Sequence, residues 1–207
     1  MSLRTLWGYE LTNADSMPDL LDAEDFNEYS AGRFSGDVRI APELESASTA
    51  IRNYVGWHLY PSEACRLTMT LQDRRVTFVG HDVLIQLPAK YVTGVDTVTI
   101  GGVAYEYTFE TNGILRIYDV YDHSLKRYSE VVVVYTAGLP DALMGSVNEL
   151  MAHRLTHALV SSNGVTSETA GGVSITYNAA WINNSRATAL PDDNKEVLAP
   201  YKVQGVY

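Results

Sequence analysis

PDALMGSVNELMAHRLTHALVSSNGVTSETAGGVSITY, residues 140–177, is the stretch on which the expected fold depends. Its first half has apolar residues at the i, i+3, i+4 and i+7 spacing of a helix with one buried face. They are Leu143, Met144, Val147, Leu150, Met151, Leu155, Ala158 and Leu159. Pro140 suits a first helical turn, and Asn163-Gly164 suits a left-handed stop. The stretch therefore predicts a helix from Asp141 to Val160.

A loop rich in glycine and serine follows this helix and leads to a short strand. Val173, Ile175 and Tyr177 alternate with polar residues, which is the period of a half-buried strand. We recognise no partner strand next to it in the sequence, and a lone strand is not stable in water. We therefore expect it to pair with the β segment of its own chain or with a sheet edge in a neighbouring subunit.

Helical patterns also lie on the N-terminal side of the chain. Asp22 is a suitable N-cap for a short helix that runs to about Tyr29. A longer helix begins near Pro42, buries one face and ends at Gly56. The apolar face of that helix comprises Leu44, Ala47, Ile51, Tyr54 and Val55. Residues 3–9 suggest only an arm that packs somewhere, and a last short helix is expected from Pro191 to Leu198.

Between residues 62 and 139 the apolar period changes from that of a helix to two. The predicted strands are Cys65–Leu71, Val83–Leu87, Val95–Ile100, Val103–Phe109, Ile114–Tyr118 and Val131–Thr136. Gly101-Gly102 and Asn112-Gly113 are hairpin signals. The predicted class is α+β. A helical core of about three to four helices, formed by residues 1–61 and 140–207, carries an inserted antiparallel β barrel or sandwich-like unit at 62–139, a C-terminal strand and a tail.

The composition of the 207 residues, with 46% apolar and 19% charged side chains, is typical of a folded soluble protein. No apolar run is long enough to span a bilayer, and the first residues lack the pattern of a leader, so we expect the chain to stay in the cytosol where it is made. The single cysteine, Cys65, alternates with apolar residues and is expected to fill space in a strand.

The net charge of −10 is concentrated near the N-terminus, since residues 1–63 hold four Lys or Arg and eleven Asp or Glu. Such a surface repels phosphate, which argues against binding of nucleic acid through a basic patch. The acidic residues are either a solvated face that favours solubility, or a surface that meets a basic partner or lines a passage for DNA.

Glu149, His153 and His157 are the only residues with a spacing that suggests a metal site. They share one helical face, but a metalloprotease has its glutamate directly after the first histidine, where this chain has Arg154. The alternative is an ordinary polar helix face. No other group of residues forms an active-site pattern, so we expect neither an enzyme nor a cofactor.

The chain has fourteen tyrosines and only four phenylalanines. Tyr105 and Tyr107 are expected on one face of a strand. Tyrosine is common in strands, in surfaces that become buried on assembly, and in carbohydrate sites. Two alternative functions therefore remain: a metal-dependent enzyme, and a tail-tip module that binds a carbohydrate or receptor.

Six short stretches occur in a characteristic order along the chain. They are Leu21–Tyr29, Ala50–Pro61 (AIRNYVGWHLYP), Leu84–Val98 (LIQLPAKYVTGVDTV), Val132–Pro140 (VVVYTAGLP), Gly164–Tyr177 (GVTSETAGGVSITY) and Leu198–Lys202 (LAPYK). This series resembles the head–tail connector, or adaptor, proteins of tailed bacteriophages. The resemblance covers most of the chain beyond residue 20, with the exception of residues 178–189.

The resemblance implies a structural virion protein without catalysis. Such a protein assembles in the host cytoplasm as a ring, usually dodecameric, between the portal vertex and the tail or stopper protein, and surrounds the passage of the genome in the virion neck. Its partners would be other copies, the portal and the tail or stopper, with no membrane and no sequence-specific nucleic acid. The predicted portal-contact residues are Leu198, Pro200, Tyr201, Lys202, Val206 and Tyr207. The predicted subunit-interface residues are Gly171, Gly172, Val173, Ile175 and Tyr177.

Overall fold

The computed structural model describes residues 3–12, 14, 16–120, 128–161, 167–170, 173–176, 190 and 192–203, with the main chain alone at 161, 167–170, 173–176, 192 and 193. The chain divides into two compact units. The β unit contains the described residues of Met1–Pro18, Val55–Pro140 and Tyr201–Tyr207. The helical unit contains those of Asp19–Tyr54 and Asp141–Pro200. No helix in the described part of the chain combines the length and hydropathy needed to cross a membrane.

Ten strands form the β unit. In chain order they are β1 (Leu3–Arg4), β2 (Tyr9–Leu11), β3 (Glu63–Thr70), β4 (Val76–Val79), β5 (Asp82–Gln86), β6 (Val92–Ile100), β7 (Val103–Ala104), β8 (Tyr107–Phe109), β9 (Ile114–Ile117) and β10 (Glu130–Ala137). One antiparallel sheet has the order β1-β2-β3-β10-β6-β7, and the other has the order β4-β5-β9-β8. The predicted α+β class with antiparallel sheets is confirmed.

The cores of the two sheets follow from the period-two pattern. The central strand β10 buries alternate residues completely, and Tyr135 of this strand stands opposite Cys65 on β3. The inner strands of the smaller sheet do the same. Their fully buried residues are Val83, Ile85, Leu115 and Ile117. Alternation of this kind is readable from sequence because successive side chains in a strand point to opposite faces.

The two sheets do not close into a barrel. The predicted strand Val103–Phe109 is in fact two short strands, β7 in the larger sheet and β8 in the smaller one. Between them Tyr105 N donates to Val98 O at 3.2 Å, whereas Tyr118 N donates to Glu106 O at 3.0 Å. The chain therefore passes from the larger sheet to the smaller sheet between β7 and β8. Sequence analysis could not detect this, because the alternation of apolar and polar residues continues when the partner strand changes.

The N-terminal arm is part of the larger sheet. Tyr9 pairs with Leu67 and Leu11 pairs with Cys65, so β2 covers one edge of β3. Sequence analysis grouped residues 1–61 with the helices, whereas these strands and the segment after Val55 belong to the β unit. A strand of three residues is too short for its period to be recognised, and pairing with the main chain of a distant strand determines its structure.

Four α-helices in the described residues form the helical unit. They are α1 (Ala23–Tyr29), α2 (Ile40–Val55), α3 (Gly145–Ser161) and α4 (Asp192–Leu198). As predicted, Asp22 caps α1, because its carboxylate accepts from Asp25 N at 2.7 Å. As predicted too, α2 ends before Gly56, whose φ of +81° an L-residue rarely adopts.

The helix from residue 140 begins later than predicted. A 3-10 turn at Asp141–Leu143 comes first, and α3 starts at Gly145. Leu143 is consequently 39% exposed, whereas Val147 and Met151 are fully buried as expected. The tighter turn rotates Leu143 away from the face that continues along α3.

An arginine in the helical unit binds the C-terminal end of α3. Arg39 donates to Leu159 O at 3.4 Å, which places a cation near the last carbonyls of the helix. Asp37 orients this guanidinium, with Arg39 Nε 2.9 Å from one of its carboxylate oxygens. Hydrogen bonds from the Arg39 side chain lower the pKa of Asp37 to about 2. The start of α2 and the end of α3 are therefore joined by a charged contact.

Candidate functional site

The strand predicted from Val173 does not lack a partner within its own chain. Residues 173–176 form β12, which pairs antiparallel with β11, Ser167–Ala170, in the register Ala170↔Val173 to Ser167↔Thr176. The expectation of an orphan strand is therefore wrong. In the sequence, Gly171-Gly172 separates the two strands, and a two-residue Gly-Gly connection is a hairpin signal. Sequence analysis recognises Gly-Gly as a hairpin signal at residues 101–102. It does not recognise a hairpin at 171–172, because the preceding residues 167–170 (SETA) show no apolar alternation.

We call β11 and β12 together the ribbon. In the described residues the ribbon is a sheet of two strands only, and no third strand joins either of its outer edges. A ribbon of this kind is marginally stable in water by itself. Of the predicted interface residues, Val173 and Ile175 lie on β12, and Gly171, Gly172 and Tyr177 lie outside the described residues. Their role at a subunit interface stays a prediction.

The predicted portal-contact segment is anchored to its own chain as far as Val203. Trp57 Nε1 donates to Tyr201 O at 2.8 Å, and Val203 N donates to Val55 O at 2.9 Å. Leu198 is fully buried, Pro200 is exposed, and Tyr201 and Lys202 are half-buried. Val206 and Tyr207 lie outside the described residues. Burial of Leu198 leaves the other five residues as candidates for a portal contact, which stays a prediction.

Two of the connector-like stretches meet in the β unit. Leu139 N donates to Leu59 O at 2.8 Å, and His58 Nε2 lies 2.9 Å from Ala137 O. Gly138 lies so close to Pro61 and Ser62 that a Cβ would overlap both. HLYP, the end of one stretch, and TAGLP, the end of another, therefore form one main-chain junction. Two stretches that are far apart in the sequence therefore form one structural contact.

A buried histidine completes this junction. Because Ala137 O can only accept, His58 Nε2 donates to it, and His58 Nδ1 forms a hydrogen bond of 2.6 Å with the Tyr9 hydroxyl. The Tyr9 hydroxyl in turn accepts from His58 N at 3.0 Å. His58 has no exposed surface, and both ring nitrogens are bonded. The histidine is therefore held in place by its partners, which is a structural arrangement.

Cys65 lies in the same core. Its side chain is fully buried on β3, as predicted, and burial raises the pKa of the thiol to about 12. Burial likewise raises the pKa of Tyr135 well above its usual value. Neither group is ionised near neutral pH, and a thiol in this state is a poor nucleophile.

The histidine pair on α3 is present, but it is not part of a larger group of metal ligands. The His153 and His157 rings are 4.6 Å apart between centroids in an edge-to-face arrangement. Burial, followed by the nearby His153, lowers the pKa of His157. Within the described ranges no three His, Cys, Asp or Glu side chains come close enough to hold a metal ion. Glu149 therefore does not complete a site with the two histidines.

The two tyrosines proposed for a carbohydrate surface are not displayed side by side on one strand. Tyr105 lies between β7 and β8, and Tyr107 opens β8. The Tyr107 hydroxyl donates to Val95 O at 2.7 Å, so its polar tip is used inside the β unit. Both side chains are only partly exposed. This arrangement favours packing for Tyr107 over a ligand contact.

The structure reveals an exposed strand that sequence analysis missed. β4 is one edge of the smaller sheet, and Phe78 and Val79 are 60% and 48% exposed. Its sequence, Val-Thr-Phe-Val between Arg75 and the Gly80 turn, does contain the period-two signal. A strand of only four residues next to a charged turn is too short for this alternation to be recognised reliably in the sequence.

Comparisons with known proteins add one similarity. No family model matches the chain, and no curated protein matches it. Solved structures do match, among them a chain of the structure described as "Neck of empty GTA particle computed with C6 symmetry". The identity is 19%, the TM-score is 0.41, and the match covers 88% of this chain and 97% of the other. At this TM-score the similarity establishes neither a common fold nor a function.

Proposed function

We propose that this chain is a head–tail connector of a tailed bacteriophage, which assembles with other copies into a ring between the portal vertex and the tail or stopper. The observation that carries the proposal is the contact between two of the connector-like stretches. Residues 58–61 and 137–139, about eighty positions apart, form one main-chain junction around His58. Two of the six stretches therefore meet in the fold, which supports the resemblance.

The buried polar groups of the β unit support a structural role. His58 is bonded at both ring nitrogens, and burial keeps the Cys65 thiol protonated. A general base or nucleophile needs access to a substrate and a pKa near the working pH. Both side chains are buried away from any substrate, and the pKa of the Cys65 thiol is far above neutral pH, so a role in holding the fold explains them better than catalysis does.

The ribbon is the proposed contact between subunits. A head-to-tail ring requires that each copy offers one surface and receives a different one. The ribbon offers main-chain donors and acceptors along two outer edges that no described strand covers. A neighbouring subunit would complete the sheet that the ribbon lacks in its own chain.

The acidic N-terminal third and the C-terminal segment complete the proposal. An acidic lining would let the phosphate backbone pass without binding, since like charges repel. Residues 200–202 and 206–207 would contact the portal, because Tyr201 and Val203 fix where the segment leaves the β unit. The protein would then reside in the virion neck.

Electron microscopy of the purified protein mixed with portal particles from the same virus tests the proposal. We expect an added ring of density under the portal for the wild type. Ile175→Asp places a charge on β12 and should weaken this addition, whereas Val38→Asp, at a position that is 89% exposed in the helical unit, should not. Portal particles that remain bare at high protein concentration would contradict the connector role.

A further inference from the structure

β4 has main-chain groups that point away from its own sheet. Gln86 N donates to Arg75 O at 3.0 Å, which makes this pair a hydrogen-bonded one in the β4–β5 ladder. Hydrogen-bonded and non-bonded pairs alternate in an antiparallel ladder. Phe78, which stands opposite Val83, consequently turns its N–H and C=O toward the open side of the strand. Val76 faces the same side, but its N–H donates to Asp73 O at 2.9 Å. A further strand can therefore pair with the N–H and C=O of Phe78 and with the C=O of Val76.

This edge also lacks the protection that other edges have. Natural sheets guard their edges with charged side chains, proline, bulges or very short strands. In the larger sheet β1 and β7 have only two residues each, and β8 at the other edge of the smaller sheet has three. β4 has four residues, Val-Thr-Phe-Val, without charge or proline. Of the four edges of the two sheets in the β unit, it is the most exposed to pairing.

We propose that the open edge of β4 accepts the ribbon of a neighbouring copy of this chain. This inference rests on the proposed connector function and names the surface that receives the ribbon. The lengths agree, because β4, β11 and β12 have four residues each. The contact would extend the smaller sheet of one copy by the two strands of the next.

The charges at the two surfaces are complementary. The turn before β4 carries Arg74, whose side chain is exposed. Residues 167–176 contain Glu168 and no lysine or arginine. A ribbon that pairs along β4 in the orientation that places Glu168 beside this turn brings opposite charges together. Because donor and acceptor are different elements, the contact is head-to-tail and can propagate around a ring.

Pairs of cysteine variants test this contact. Thr77→Cys marks β4, and Thr169→Cys and Ser174→Cys mark the two strands of the ribbon. Native Cys65 should not form a disulfide, because it is fully buried and burial raises the pKa of its thiol to about 12. Neighbouring strands bring Cα atoms within the range that a disulfide needs. We expect mixtures of Thr77→Cys with a ribbon variant to form a mixed disulfide dimer at high protein concentration under mild oxidation.

Thr108→Cys is the matched control. Thr108 is an exposed threonine on β8, at the opposite edge of the same sheet and in line with Thr77 through Leu84 and Arg116. Its mixtures with ribbon variants should form no more than background disulfide. Equal yields from Thr108→Cys and Thr77→Cys would overturn the assignment of β4. A predominant Thr77→Cys homodimer would overturn it too, since two β4 edges would then pair with each other.

The outcome separates this inference from the connector role. Rings on the portal without a mixed disulfide would overturn the β4 contact and leave the connector function intact. A mixed disulfide in a protein that never binds portal would support the β4 contact and overturn the connector function. Phe78→Lys adds a second measurement, because a charge on β4 should abolish the mixed disulfide between Thr77→Cys and the ribbon. Phe109→Lys, the same change at the opposite edge, should leave it unchanged.

Discussion

Tyr9 and Tyr135 are neighbours in the core of the β unit, with ring centroids 6.3 Å apart, yet their hydroxyl groups have different surroundings. The Tyr9 hydroxyl bonds to both the ring and the main chain of His58. The Tyr135 hydroxyl is buried beside the Cys65 thiol, which is a weak hydrogen-bonding group, and it has no partner at normal hydrogen-bond geometry in the described part of the chain. The two residues therefore allow a direct comparison of a satisfied and an unsatisfied buried hydroxyl.

Tyr9→Phe should lower the free energy of unfolding by about 1–3 kcal/mol, because it removes the hydrogen bonds of the Tyr9 hydroxyl to the ring and the main chain of buried His58. Tyr135→Phe should be neutral or stabilising, because it removes a polar atom that is buried without a bond. Urea unfolding followed by tryptophan fluorescence measures both changes. A larger loss from Tyr135→Phe than from Tyr9→Phe would contradict the assignment of hydrogen bonds in this core.

Sequence analysis predicted the role of Cys65 and did not recognise that of His58. Cys65 alternates with apolar residues in its own strand, so its burial follows from local pattern. The partners of His58 are 49 and 79 residues away in the chain. A contact between residues so distant leaves no local signal.

At the scale of elements, the junction between the chain after Tyr60 and the end of β10 depends on a single glycine. Gly138 has a φ of +153°, and a Cβ there would overlap Pro61 and Ser62. Gly94 on β6 is different, since nothing lies within 4 Å of the position that a Cβ would occupy there. Both glycines lie in connector-like stretches, so the stretch alone does not show which one is needed.

Gly138→Ala should lower the free energy of unfolding by about 2 kcal/mol or more, because the main chain would have to shift to admit a methyl group. Gly94→Ala should change it by less than about 0.5 kcal/mol, since the added methyl group meets open space. Thermal unfolding of the two variants beside the wild type measures the difference. Equal stabilities would contradict the close approach at Gly138.

Element prediction succeeded where a long segment has one period throughout. The two long helices α2 and α3 and the buried strands β3, β5 and β10 were all expected. It failed where a short element takes its partner from elsewhere, as in β1, β2, β4 and β11. Such elements have too few residues to show a period, and their structure depends on the strand that they join.

At the scale of the whole molecule, the charge distribution affects whether the protein binds DNA. The formal net charge is −10, and residues 1–63 contribute most of it. On α1, Glu24, Asp25 and Glu28 are exposed. A ring built from such subunits would repel phosphate, as the passage of a genome requires.

Wild-type protein should therefore show no shift of a random-sequence DNA duplex in a gel at physiological salt. The triple variant Glu24→Lys, Asp25→Lys and Glu28→Lys, which makes the formal charge less negative by six, should bind the duplex more strongly. Its binding should weaken as salt is raised. Salt-dependent binding by the wild type at micromolar concentration would contradict the proposed passive role toward DNA.

The sequence by itself determined the class of structure, the four helices and most of the buried strands, because periodicity and capping are local properties of the chain. It also determined the negative charge and, through the order of six stretches, the proposed connector role. Only the tertiary structure decided which strands pair, that the β unit includes the N-terminal arm, and that the strand at residues 173–176 has a partner in its own chain. The tertiary structure also revealed that β4 is an open edge of the smaller sheet. These features depend on contacts between residues far apart in sequence, which no local pattern records.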